Sequence, residues 1–167
     1  GEPFLYAELS KLLQSTKEMG YYNQVVSNGM LLKSKRNRAT LRYLDSIAIS
    51  IGGNKALHNE MRASDLAYDK MLEGISILQE EAIPFGLIHT ITKKSWSIIP
   101  ELIELATQLG SSLLQLHPIE DAGRAMNELE NEFFLSQADL HRIFILVNIL
   151  KETSDTRIQL DLLHKHF

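Results

Sequence analysis

Four short groups of residues in this chain have the types and spacing to do chemistry. Gly1-Glu2-Pro3 puts a carboxylate at a turn ahead of an amphipathic segment. Ser27-Asn28-Gly29 and Ser50-Ile51-Gly52-Gly53 each close a β-favouring run with hydroxyls and glycines, and His58 and Arg62 follow the second. His89 and His117 stand near the ends of two later apolar runs, with Glu120 and Asp121 just beyond. Glu2 can accept bonds from a ligand ammonium, or can be the acid that a helix N-terminus favours through its dipole. Hydroxyls beside glycines suit ribose or phosphate contacts because the backbone can approach closely; plain turn chemistry is the alternative. Arg62 can clamp a carboxylate with two parallel bonds, or can be a surface arginine. His89 and His117 can form a metal or general-base pair, or can each pack with one satisfied nitrogen. Neither GxGxxG nor HExxH occurs, and the one HxH, His164-Lys165-His166, is in the tail. The basic stretch Lys33–Arg38 reads as a short loop that can touch phosphate or form a solvated face.

The elements that must position these residues follow from apolar periodicity. Residues 4–19 carry Leu5, Leu9, Leu12, Leu13 and Met19 at helical spacing, stopped by Gly20. Five strand-like runs follow: Tyr22–Ser27, Ser46–Ile51, Phe85–Thr92, Ser112–His117 and Arg157–His164. Between them the pattern predicts a small helix around Ala39–Leu44 and a loop holding His58 and Arg62. A long helix capped by Ser64 runs to about Glu81, another spans Ile98 to Gly110, and a Ser136/Asp139 capping box opens one reaching Glu152. A chain that alternates β and α in this way builds a mostly parallel sheet covered by helices. Its chemistry belongs at the C-terminal ends of the strands. The expected architecture is α/β, an open curved sheet of about five mostly parallel strands with helices on the outer face; the family resemblance given below makes it a partial, open (β/α) barrel. Residues 1–167 read as one domain, and Gly1-Glu2-Pro3 as the loop after a strand, as in a piece of a larger enzyme.

Composition narrows the classes. The chain has 167 residues, 44% hydrophobic and 23% charged, with a net charge of −4. That balance disfavours a general nucleic-acid surface. No apolar run approaches the roughly 18 residues that span a bilayer, and no signal-peptide pattern opens the chain. A cytoplasmic enzyme is the expectation. There is no cysteine, so these residues supply no disulfide and no thiolate ligand.

Taken together, Gly1-Glu2-Pro3, Ser27-Asn28-Gly29, Ser46–Ser50 with His58 and Arg62, and Leu113–Ala125 (LLQLHPIEDAGRA) resemble the radical S-adenosylmethionine (radical SAM) superfamily, closest to its peptide- and protein-modifying branch. The resemblance implies a partial (β/α)6 barrel whose first loop carries CxxxCxxC. Those thiolates hold a [4Fe-4S] cluster that reductively cleaves SAM to methionine and a 5′-deoxyadenosyl radical, which abstracts hydrogen from a substrate. By the same resemblance, Gly1, Glu2 and Pro3 match the GGEP motif that binds the methionine amino group. Ser27, Asn28 and Ser50 match ribose and methionine contacts, and Arg62 the holder of the methionine carboxylate. Backbone near His89 and Leu116 would line the adenine pocket. The sequence departs from the pattern in two places. The cluster motif is absent, and the family's common Ser-(Leu/Ile)-Asp-Gly is here Ser50-Ile51-Gly52-Gly53, with glycine in place of a carboxylate.

The expected partners are SAM and a substrate that is a peptide or protein, with neither nucleic acid nor membrane. Without the cluster motif the chain alone is expected to be inactive and to hold no cofactor tightly. An uncovered edge at Tyr22–Ser27, or an exposed concave face, is expected to favour dimers. Two other readings compete: a small metal-dependent hydrolase or lyase using His89, His117 and Glu120, and a non-catalytic interaction domain.

Overall fold

The computed structural model describes residues 1–120 and 133–162. Five strands, β1 (Gln24–Ser27), β2 (Ser46–Ser50), β3 (Phe85–Ile91), β4 (Leu114–Pro118) and β5 (Ile158–Leu160), form one sheet in sequential order. Every pair is parallel. The sheet is open, with β1 and β5 at its edges. The α/β class, the strand count and the parallel direction all agree with the sequence.

Among the described residues, six α-helices accompany the strands: α1 (Leu9–Glu18), α2 (Lys35–Thr40), α3 (Lys55–Met61), α4 (Ala67–Glu80), α5 (Ile99–Gln108) and α6 (Gln137–Lys151). The capping box of α6 is present as expected, with Ser136 Oγ accepting from the Asp139 N–H and Asp139 accepting from the Ser136 N–H. Three local expectations change. The loop expected to hold His58 is helix α3, capped by Asn54, whose side chain accepts from the Leu57 N–H. Ser64 does not cap α4: its carbonyl, not its hydroxyl, meets Ala67. The basic stretch is not a loop. Ser34 caps α2, Lys33 pairs with Glu73, and Arg38 pairs with Glu80 and Glu81. Those partners sit on α4 and its C-cap, which accounts for the charges of Lys33 and Arg38 without a phosphate. The end of the Leu113–Ala125 run and the His164-Lys165-His166 tail lie outside the described residues.

Which face is covered follows from strand parity. Ile47 and Ile49 of β2, Phe85, Leu87 and Ile91 of β3, and Leu114 and Leu116 of β4 are buried in one core with Met71, Ile75, Leu102, Ile143 and Val147 of the helices. The intervening residues, Ala48, Ser50, Ile88, Thr90, Gln115 and His117, are partly buried or exposed. Parallel sheets covered on both faces read as unbroken apolar runs. Here one face carries mainly apolar side chains under helices, and the other mixes Ala48 and Ile88 with the hydroxyls of Ser50 and Thr90, the amide of Gln115 and the imidazole of His117.

Candidate functional site

The first turn of the chain is tied to the C-terminal end of β1. Glu2 Oε1 accepts from Ser27 Oγ at 2.8 Å and from the Phe4 N–H at 3.2 Å, and Oε2 accepts from the Asn28 N–H at 2.9 Å. Glu2 therefore caps the short 3-10 turn Pro3–Leu5 and holds the strand end together. Ser27 Oγ also accepts from the Gly29 N–H at 3.0 Å, and Asn28 Oδ1 accepts from the Met30 N–H at 2.9 Å. Arg36 Nη2 donates to the Phe4 carbonyl at 2.7 Å and pins the same turn from α2. Ser27 is buried and pairs in register with Ile49, so it lies on the helix-covered face. Its hydroxyl is committed to Glu2.

Glu2, Ser27, Asn28, Ser50 and Arg62 line one cavity of about 360 Å3 with Gly1. A second cavity of about 270 Å3 shares Ser50 and Arg62 and extends to Thr90. A third, of about 510 Å3, runs from Thr90 to His117, Glu120 and Asp161. The shared walls make a row of cavities along the C-terminal ends of all five strands. Arg62 is exposed at the end of α3 and forms no ion pair among the described residues. An unpaired guanidinium beside Ser50 suits an anionic group.

His58 works from behind this wall. It is fully buried, and Nδ1 accepts from the Gly52 N–H at 3.0 Å. Burial, and then the Arg62 cation, lower its pKa to about 4, so the ring is neutral. Its edge meets Tyr68 of α4 at 5.8 Å between centroids.

The histidine pair does not assemble. His89 pairs in register with Leu116, and His117 pairs with Thr90, so the two rings leave opposite faces of the sheet. His89 is fully buried under the helices, with Nδ1 2.9 Å from the Ile51 carbonyl and Nε2 3.1 Å from Ser95 Oγ. Burial lowers its pKa, opposed by the bond to Ile51. It staples the end of β2 to the β3–α5 connection. A shared metal with His117 and Glu120 is excluded by that geometry, and no cluster of three ligating residues occurs among the described residues. His89 and Leu116 are both fully buried, with their side chains facing the core. Asp121 lies outside the described residues. Sequence reasoning missed Arg36, Thr90 and Asp161, and gave His58 no distinct role; a buried histidine six residues after a strand-end Gly-Gly was the available signal.

No family model matches the chain. It is 30% identical over 125 residues to the probable GTP 3',8-cyclase of Saccharolobus solfataricus, covering 71% of this chain and 40% of that protein. It is 24% identical over 139 residues to the Fe-coproporphyrin III synthase of Methanosarcina barkeri, covering 83% of this chain and 35% of that protein. The fold matches Streptococcus suis SuiB bound to its precursor peptide SuiA, with a TM-score of 0.78 and 17% identity over 98% of this chain and 37% of the other. It also matches anSMEcpe with bound AdoMet and peptide, with a TM-score of 0.70 and 18% identity over 96% of this chain and 48% of the other. The chain belongs to the radical SAM superfamily.

It spans about 40% of the length of the S. solfataricus relative. The Glu2 turn, the end of β1 and the end of β2 stand together at one cavity. The chain has no cysteine. Its donor set is therefore carboxylate, hydroxyl, amide and guanidinium, which fits an amino-acid-bearing ligand such as SAM and does not fit an iron–sulfur cluster.

Proposed function

We propose that this chain is the SAM-binding part of a longer radical SAM iron–sulfur enzyme. The observation that carries the reading is the convergence of Glu2, Asn28, Ser50 and Arg62 on one cavity at the ends of β1 and β2. Glu2 offers carboxylate lone pairs to the methionine ammonium while Ser27, Asn28 and Phe4 hold it in place. Arg62 takes the methionine carboxylate. Asn28 and Ser50 reach the ribose, and the backbone near His89 and Leu116 borders the adenine. Gly1 and Pro3 shape the turn. The cysteines that hold a cluster would come from outside these residues, and the chain alone would be inactive.

The substrate reading is a peptide or protein. Two structural neighbours, SuiB and anSMEcpe, are each bound to a peptide, which supports it. The names of the sequence relatives, for GTP and for coproporphyrin, support a small molecule instead.

Each exposed polar contact contributes about 1 kcal/mol net, while ordering a flexible ligand costs several. SAM should then bind the chain alone with millimolar affinity at best. The test is amide NMR with SAM. Shifts should gather at Asn28, Ser50 and Arg62, and Glu2→Gln and Arg62→Ala should each remove them. Shifts elsewhere, or none at saturating SAM, would overturn the reading. Anaerobic reconstitution of the longer protein with iron and sulfide should give both cluster absorbance and SAM cleavage.

A further inference from the structure

Two buried histidines hold the same peptide bond. The unit that joins Ile51 to Gly52, just past the end of β2, offers one carbonyl and one N–H. The Ile51 carbonyl lies 2.9 Å from His89 Nδ1, and the Gly52 N–H donates to His58 Nδ1 at 3.0 Å. A carbonyl only accepts, so His89 carries its proton on Nδ1. A backbone N–H only donates, so His58 Nδ1 is bare. Burial lowers the pKa of both rings and keeps them neutral. They are therefore opposite tautomers. His89 has its lone pair on Nε2, 3.1 Å from Ser95 Oγ, and His58 has its proton on Nε2.

Both rings are fully buried. His89 uses both nitrogens, whereas His58 Nε2 has no hydrogen-bond partner among the described residues. Buried polar atoms are nearly always satisfied. At His58 one donor, the Gly52 N–H, is satisfied while another, on the ring, is left over. The gain is thus not in the number of hydrogen bonds but in where the peptide is held.

The held peptide lies between two polar residues of one cavity. Ser50 precedes it on β2, and Ser50, Gly52 and Arg62 line that cavity together. Arg62 stands one helical turn after His58, and its N–H donates to the His58 carbonyl at 3.1 Å. Helix α3 lies close against the peptide: a Cβ on Gly52 would stand 3.2 Å from His58 Cα and 3.1 Å from Met61 Sδ. The same helix is bolted to α4, where Asn59 Oδ1 accepts from the Tyr68 N–H at 2.8 Å and Lys55 pairs with Asp69 at 2.8 Å. A planar peptide turns only through the dihedrals on either side of it. With both its ends held, the path from Ser50 to α3 keeps little freedom.

We propose that His58 and His89 are positioning residues of this cavity: as opposite tautomers they grip the two ends of the Ile51–Gly52 peptide and so fix Ser50 and Arg62 relative to each other for the ligand. That the ligand is SAM rests on the reading above; the clamp does not.

The first test is nitrogen-15 NMR of the histidine rings in this chain at neutral pH, assigned with His58→Asn and His89→Asn. His58 should be protonated on Nε2 and His89 on Nδ1; the reverse tautomer at either ring would overturn the proposal. The second is SAM titration read at the Ser50 and Arg62 amides. His58→Leu and His89→Leu should each weaken SAM severalfold. Asparagine at the same positions should recover most of the affinity, because its carbonyl can accept from Gly52 at 58 and its amide can donate to Ile51 at 89. Asparagine does not restore the packing of an imidazole, so a purely structural role predicts no such rescue. Equal affinities in the leucine and asparagine variants would overturn the proposal. If a leucine variant does not fold, the asparagine variant decides: affinity close to the parent's carries the proposal, and a severalfold loss overturns it. No shifts at Asn28, Ser50 and Arg62 in the parent would defeat the SAM reading, while the tautomers decide the clamp separately.

Discussion

Gly74, in the middle of α4, sits so close to Gly29 that a Cβ built on it would stand 2.2 Å from the Gly29 carbonyl oxygen. Gly29 closes the turn after β1 with φ +76°, a conformation that favours glycine. The helix thus presses directly on the backbone that presents Ser27 and Asn28 to Glu2. Replacing a mid-helix glycine by alanine ordinarily stabilises a helix by about 1 kcal/mol. Overpacking against backbone costs about 1–3 kcal/mol or more, and here the clash should win. Gly74→Ala is expected to lower the melting temperature by several degrees and to shift the amides of Asn28 and Gly29. An unchanged or raised melting temperature would contradict the close approach.

Ser27 should act through Glu2. Removing its hydroxyl leaves Oε1 with the Phe4 N–H alone among these donors. Hydrogen bonds to charged groups are worth about 1.5–3 kcal/mol, and the partly exposed carboxylate can turn to water, so the lower end applies. Ser27→Ala, which also takes the acceptor from the Gly29 N–H, should cost about 1.5 kcal/mol in urea unfolding and weaken the SAM response. Ser27→Thr, which keeps the hydroxyl, should restore more of the response than of the stability, because its added methyl enters a buried site.

Acid should destabilise the chain through His58. Its folded pKa of about 4 lies below the ordinary value near 6.5. Between those values the unfolded chain binds more protons, so stability rises with pH. The contribution is complete above about pH 6.5 and is lost as pH falls towards 4, a total of about 3 kcal/mol. His89, lowered in the same direction, adds to it. His58→Asn keeps an acceptor for the Gly52 N–H and removes the titration. Urea unfolding from pH 7 to 4.5 should show a flatter dependence in that variant, and an equal slope would exclude His58 as the source.

Arg62 should be nearly silent in stability, since it is exposed and makes no ion pair among the described residues. Arg62→Ala is expected within about 0.5 kcal/mol of the parent. It removes the lesser of the two causes that lower the His58 pKa. NMR titration of the variant should find that pKa raised, though still held down by burial. No movement would place the guanidinium further from His58 than the structure has it.

The strands were legible because each is a short β-favouring run bounded by turn residues, and their direction followed from the helix between each pair. Helix α3 was not legible. It has seven residues, follows Gly52-Gly53, and offers only Asn54 as a start signal. The Glu2, Ser27, Asn28, Ser50 and Arg62 group was legible as a set of strand-end polar residues, but not that Ser27 points to the core. His89 and His117 misled for the same reason. Side chains alternate along a strand, so a one-residue offset between neighbours reverses the face. That offset, His89 opposite Leu116, is a property of register, which composition and spacing do not carry. Asp161 was invisible as a partner of His117 because the contact spans two parallel strands separated by α6.

The uncovered edge gives the last prediction. Among the described residues β1 has a strand partner on one side only, and its neighbourhood is unusually apolar for a surface. Val26 is 51% exposed, Tyr22 70%, Tyr21 65% and Leu5 69%. An unpaired parallel edge with exposed aromatic residues is a template for another chain. A stable interface needs about 800 Å2 from each partner, more than four strand residues supply, so the flanking tyrosines and Leu5 must take part. The chain by itself should dimerise as concentration rises, with Tyr22 at the contact. Tyr22→Lys combined with Val26→Lys places charges where natural edges carry them and should restore the monomer without loss of melting temperature. Light scattering that shows a monomer at the highest soluble concentration, or a dimer indifferent to both lysines, would remove β1 as the contact.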